Sequence, residues 1–147
     1  RSSDLVGLLL AFVTFIYRIS SLSRYEPVNL ADFPELKQHQ GRIAAFRIYG
    51  AIFFGAVKIL ENIENELPSQ VLILDLKNVI YIDVSGMDAV LELETVCKNR
   101  NIKLIICGLA HQPYEMATRA GLLERLPVDC IYPDLQQGTA RAISQSH

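Results

Sequence analysis

The residues best placed to do chemistry sit in one short turn, Ile82-Asp83-Val84-Ser85-Gly86. It follows an apolar run and precedes a helical pattern, so a buried strand ends there and a helix begins. Free N–H groups and the positive end of the helix dipole meet at such a point and stabilise anions and phosphates. Gly86 has no Cβ and lets backbone or a partner approach closely. Ser85 and Asp88 fit a short capping-box pattern, which reads Ser85 as the helix N-cap. Asp83 either holds the turn through contacts to its own backbone or presents a charge to a partner. Asp83, Val84, Ser85 and Gly86 are therefore the candidate partner- or anion-binding turn.

Elsewhere the chemistry-bearing residues are dispersed. His39, His111 and His147 lie far apart and lack metal-ligand spacing. The pairs Asp83/Asp88 and Glu92/Glu94 lie on or beside one helix and read as solvated surface. Asp75 is a carboxylate in an otherwise apolar strand, a position for a hydrogen-bonded structural group. Cys97, Cys107 and Cys130 are odd in number, without CxxC spacing, and read as buried thiols in a reducing compartment. No P-loop or GxGxxG is present. A net charge of -2 gives no electrostatic footprint for nucleic acid. The expectation is a non-enzymatic chain with no metal and no cofactor.

The elements that must carry the turn follow from periodicity. Residues 26–40 hold Pro27 and Pro34 without a sustained period and read as a linker. Ile43–Tyr49 is β-like and ends at Gly50. Phe53, Phe54 and Gly55 follow, then a helical stripe of Ala56, Ile59, Leu60, Ile63 and Leu67, stopped by Pro68. Val71–Leu76 is apolar on both faces, as a central parallel strand requires. The helix after Gly86 places Met87, Val90, Leu91 and Cys97 near one face, with Glu94 inside the stripe. Ile102–Cys107 is the next strand. A third helix starts near Pro113 and closes at Gly121, with Leu122 folding back as its apolar contact. A short strand at 130–132 and a helix over 134–144 complete an α/β order with a mostly parallel sheet.

Leu5 to Tyr17 is apolar except for Thr14. Its rise of roughly 20 Å falls short of a bilayer core of roughly 30 Å. Arg18 and Arg24, with Tyr17 and Tyr25 beside them, form the basic and aromatic flank of a cytoplasmic membrane face. Residues 1–24 thus read as the end of a transmembrane helix and a basic juxtamembrane segment, 25–41 as a linker and 42–147 as the domain. The chain begins at Arg1 without a Met, which reads as a fragment or processed product. A signal-peptide core competes, but IYRISSLSR puts charge where a small-residue cleavage site belongs. A core helix competes too, but would need a partner surface on every side.

Three motifs in order carry a resemblance. IDVSG (82–86) resembles the strand-to-helix turn of STAS domains, the fold of anti-sigma-factor antagonists and of the cytoplasmic tails of SulP (sulfate permease) transporters. IYGAIFFGAV (48–57) resembles the opening of the transporter tails, and CGLAHQPYEMATRAGL (107–122) their strand and proline-started helix. The resemblance implies a STAS-type mostly parallel sheet with packed helices. It further implies a regulatory and interaction domain at the inner, cytoplasmic membrane, on a secondary transporter for sulfate, bicarbonate or dicarboxylates. Its partners would be the transporter's own transmembrane domain, a cytoplasmic protein or a second copy in a homodimer. The alternative is an antagonist-like protein-binding module. In those antagonists the serine directly after the aspartate is phosphorylated; Val84 stands there, which leaves Ser85 as the alternative acceptor.

Overall fold

The computed structural model describes residues 2–22, 24–28, 32–52 and 58–145. Helix α1 (Ser2–Leu22) leads into strand β1 (Arg24–Pro27), a 3₁₀ turn (Pro34–His39) and β2 (Ile43–Ile52). Then come α2 (Lys58–Glu64), β3 (Val71–Ile82), α3 (Val84–Asn99), β4 (Lys103–Cys107) and α4 (His111–Ala120). A single turn α5 (Leu122–Arg125), β5 (Ile131–Tyr132) and α6 (Leu135–Gln145) end the chain. The strands lie in the order β1-β2-β3-β4-β5, antiparallel between β1 and β2 and parallel elsewhere.

The two-residue alternation of each strand divides its side chains between two covered faces. Phe46, Leu72, Leu74, Leu104 and Ile106 meet Leu60 and Ile63 of α2 and Met87, Val90, Leu93 and Cys97 of α3. On the other face Ile43, Ala45, Ile73, Ile105 and Cys107 meet Leu36 of the 3₁₀ turn and Leu135 and Ala142 of α6. Each fully buried Ile or Leu contributes about 2 kcal/mol by leaving water. The helix after the turn is rotated slightly from its expected phase: Leu93 is buried and Leu91 only partly so. α6 reaches the sheet because Gly138 has no side chain; a Cβ there would run into the Cys107 sulfur.

Several boundaries differ from expectation. β2 does not end at Gly50. Gly50 takes φ +89°, and a register shift against β3 falls between Gly50 and Ala51. This bulge absorbs the glycine, and the strand continues to Ile52. β3 likewise runs on to Ile82, seven residues past its last pairing with β4 at Asp75. The stretch read as a linker contains β1 and the 3₁₀ turn. Pro27 is tolerated in β1 because the strand lies at the sheet edge. Tyr25 packs on Phe46 with ring centroids 5.9 Å apart, and the Arg24 guanidinium lies 4.5 Å from the centre of the Tyr49 ring. Gly121 closes α4 at φ +80° with Leu122 fully buried, as its position predicts. The paired phenylalanines Phe53 and Phe54 lie outside the described residues.

From Leu5 to Phe15, α1 leaves its apolar side chains out of this packing. Leu5, Leu8, Leu9, Leu10, Phe12, Val13 and Phe15 are all more than half exposed, so over this stretch the helix presents apolar side chains to solvent. No helix among the described residues is long and apolar enough to cross a membrane.

Candidate functional site: the turn between β3 and α3

Asp83 is the N-cap of α3, and this replaces the capping box centred on Ser85. Its backbone is extended, and its Oδ1 accepts the Gly86 N–H at 2.8 Å, while its carbonyl accepts the Met87 N–H at 2.9 Å. The Asp83 N–H donates to the Ile52 carbonyl at 3.1 Å, so the end of β2 holds the turn from behind. Either residue fits a cap by type; Asp83 wins because the strand conformation persists through Ile82 and the helix opens at Val84. Gly86 faces the Ile52 carbonyl so closely that an added Cβ would lie 2.6 Å from its oxygen. Ser85 is left exposed and free of the cap.

A second support comes from thirty residues away. Beyond Asp75 β3 has no β4 neighbour, and Gln112 takes that place at the strand's end. Its Oε1 accepts the Ile82 N–H at 2.9 Å and its Nε2 donates to the Ile82 carbonyl at 2.8 Å. The side-chain amide thus imitates one residue of a neighbouring strand. Its loop makes room by special geometry, with Gly108 at φ +69° and His111 at φ +57°. Nothing in the local pattern around Gln112 signals this role. Gln112→Ala should leave the buried Ile82 N–H unpaired and cost about 2 kcal/mol. Amide exchange at Ile82 and Asp83 should accelerate at least about tenfold relative to the β3 core, a change readable by NMR.

The surface around the turn is apolar despite its acidic cap. Val84 is 64% exposed, and Ile80 and Tyr81 before it are 74% and 45% exposed. Val84, Met87 and Leu91 of α3 continue into a groove of about 360 Å³ closed by Met116, Arg119 and Ala120 of α4, with Asp88 at its rim. The Asp83 carboxylate already occupies the cap, so a dissolved anion would meet a resident negative charge. Apolar side chains flanked by Asp88 and Arg119 match the composition of a protein-docking patch better.

The remaining sequence candidates serve the fold. Asp75 is buried, paired with Arg47 at 3.4 Å and accepting the Lys77 N–H at 3.1 Å. Glu94, also buried, faces Arg125 at 3.4 Å. The three cysteines are free and buried. Burial pushes the Cys97 thiol up to about 11 and Cys107 up to about 12, and raises Cys130 as well. All three are protonated and unreactive at neutral pH.

The family model of the STAS domain matches residues 34–138, a span that takes in the sheet from β2 to β5, the turn at Asp83 and the groove beside it. The chain belongs to the STAS domain family. Among curated proteins, the Bacillus subtilis (strain 168) protein named "Putative sulfate transporter YvdB" is 35% identical over 124 residues, 82% of this chain and 23% of its own length. This STAS chain therefore spans under a quarter of that relative. A sulfate transporter family protein from Wolinella succinogenes has the same fold at a TM-score of 0.64 and 27% identity, covering 73% of this chain and 90% of that one. The SulP transporter STAS domain of Vibrio cholerae aligns at a TM-score of 0.63 and 24% identity, over 80% of this chain and 97% of that one. Murine Slc26a9, an anion transporter in its inward-facing state, shares the fold at a TM-score of 0.74 and 14% identity, over 97% of this chain and 25% of that one.

Proposed function

We propose that this chain is the cytoplasmic regulatory and interaction part of a SulP-type secondary anion transporter of the sulfate, bicarbonate or dicarboxylate class. α1 would be the end of the last membrane helix, and the STAS domain would lie on the cytoplasmic side of the inner membrane. The observation that carries the reading is the apolar side chains from Leu5 to Phe15 of α1, exposed beside a STAS body whose two core clusters include none of them. In water such a surface is costly, at roughly 25 cal/mol for each Å² exposed. Against lipid and neighbouring membrane helices it is matched. The domain's task is to make partner binding depend on transporter state, since only a difference in affinity between two states can regulate. The Val84 patch and its groove are the surface for that partner, whether the transporter's own membrane part, a second copy or a cytoplasmic protein. Ser85, exposed next to Val84 in the chain, is the hydroxyl at which phosphorylation would alter it.

Val84→Asp in the full natural protein tests this. It places a carboxylate in the middle of the apolar patch without removing the Asp83 cap. Uptake of labelled sulfate, bicarbonate or succinate should change at least about twofold, with the amount of protein in the membrane unchanged. Recovery of the natural protein in a detergent-free soluble fraction, or uptake identical to wild type for all three anions, would refute the reading.

A further inference from the structure

Outside α1, five large apolar or aromatic side chains are exposed among the described residues, and three of them, Ile80, Tyr81 and Val84, fall within five consecutive positions. They crown the end of β3. The one charge between them, on Asp83, is turned back to cap α3. Val128, the most exposed of the others, lies at the far end of the sheet, since its neighbour Asp129 pairs with Lys103, the first residue of β4.

The register of the sheet fixes where this crown stands relative to α1. Arg24, two residues after α1 ends at Leu22, is level with Tyr49 of β2, and Tyr49 is level with Asn78 of β3. β1 is antiparallel to β2, so the chain reaches Arg24 from the side toward which β3 runs on. From that level β3 continues to Ile82, which carries its end about 13 Å past Arg24. The path from Tyr17, the last residue of the apolar run, to Arg24 is at most about 15 Å, five helical steps and two extended ones. The crown therefore rises beside the lower end of α1, which itself touches β2. Two cations stand at its foot: Arg24, over the Tyr49 ring, and the exposed Lys77, one residue before Asn78.

We infer that Ile80, Tyr81 and Val84 dip into the surface of the lipid bilayer beside α1, as a second contact of the domain with the membrane. The inference rests on the reading of α1 as a membrane segment. The order along the sheet is the one a bilayer interface selects: apolar groups innermost, an aromatic ring with a polar tip among them, and Arg24 and Lys77 at the depth of the lipid phosphates. A protein partner requires no such layering. α3 runs back from the crown, so the groove of Met87, Leu91 and Met116 stays clear for a protein. A domain held at α1 alone can swing; held at the crown as well, it keeps one end to the membrane.

The test uses the full natural protein in phosphatidylcholine–phosphatidylglycerol vesicles, with any cysteine outside this chain replaced by serine. A nitroxide is attached at Ile80→Cys, Val84→Cys, Phe12→Cys or Val128→Cys. Cys97, Cys107 and Cys130 are buried and stay unlabelled. Collisions with oxygen report lipid, collisions with a water-soluble nickel chelate report water, and a site covered by protein meets few of either. The oxygen-to-nickel ratio at Ile80 and Val84 should exceed that at Val128 at least about fivefold, as for side chains sunk below the headgroups. Each position is read alone, so loss of folding in one variant leaves the other to decide. Few collisions with either reagent at Ile80 and Val84 would mean that protein covers the crown, and a ratio equal to that of Val128 would mean that water does. Either result overturns the inference, while a lipid signal at Phe12 in the same vesicles leaves the reading of α1 standing. A water signal at Phe12 overturns the reading of α1 and the inference with it.

Discussion

Gly86→Ala should lower the thermal midpoint of the domain by about 8 °C. The added Cβ would lie 2.6 Å from the Ile52 carbonyl oxygen, 2.8 Å from Ile82 Cγ1 and 2.9 Å from Ile52 Cγ2. The first of these neighbours is backbone, and it is held in place because it accepts the Asp83 N–H. Relief must come from a shift of α3 away from β2. That shift also lengthens the bond from the Gly86 N–H to Asp83, so the cap loosens with the packing. Overpacking of this kind costs about 3 kcal/mol, and the better helix propensity of alanine returns about 1. The balance of about 2 kcal/mol gives the stated fall for a domain of this size. Gly7→Ala is the internal control, because a Cβ at Gly7 in α1 has no neighbour within 4 Å. Melting curves followed by circular dichroism decide it; a Gly86→Ala midpoint within about 2 °C of wild type would show that the turn is not held against β2.

That turn also shows what a linear reading can and cannot reach. The order of strands and helices was legible because strands buried on both faces are continuous apolar runs and helices repeat every three to four residues. Gly121 and Leu122 were legible as a helix end because their chemistry is local. The turn itself was visible as a strand-to-helix junction, but its cap was not settled by composition, since Asp83 and Ser85 are both good capping types. What decided between them was the persistence of β3 through Ile82, which depends on pairing with β2 beyond its bulge at Gly50. Gln112 was out of reach for the same reason: its partner is thirty residues distant, and a glutamine before Pro113 carries no distinctive pattern. β1 was missed because four residues ending in proline give no alternation to read, and the strand exists only where β2 offers an edge. Glu94 looked like a flaw in an apolar stripe. It is buried because Arg125, in a different element, comes to meet it.

The second large effect concerns a charge that the sheet itself holds. Asp75 and Arg47 are directly opposed in the parallel register of β3 and β2. The Asp75 side chain is 5% exposed, whereas that of Arg47 is 32% exposed. Their closest approach is 3.4 Å, and Arg47 Nε, though buried, is not aligned as a hydrogen-bond donor. The contact is therefore an ion pair by distance, and the carboxylate's firmest hydrogen bond comes from the Lys77 N–H at 3.1 Å. Because the two partners differ in access to water, removing them has unequal consequences. Arg47→Leu strands a carboxylate on the face shared with Ile73 and Cys107, and should cost about 3 kcal/mol. Asp75→Leu leaves a guanidinium that still reaches solvent, and should cost about 1 kcal/mol. Replacing both with leucine removes the buried charge together with its partner and fits the apolar lining, so Arg47→Leu/Asp75→Leu should lie within about 1 kcal/mol of wild type. Chemical denaturation of the four chains gives the coupling directly, expected at about 3 to 5 kcal/mol and opposite in sign to the single losses. A double variant as unstable as Arg47→Leu would mean that the arginine supports the sheet through the packing of its methylenes and not through its charge.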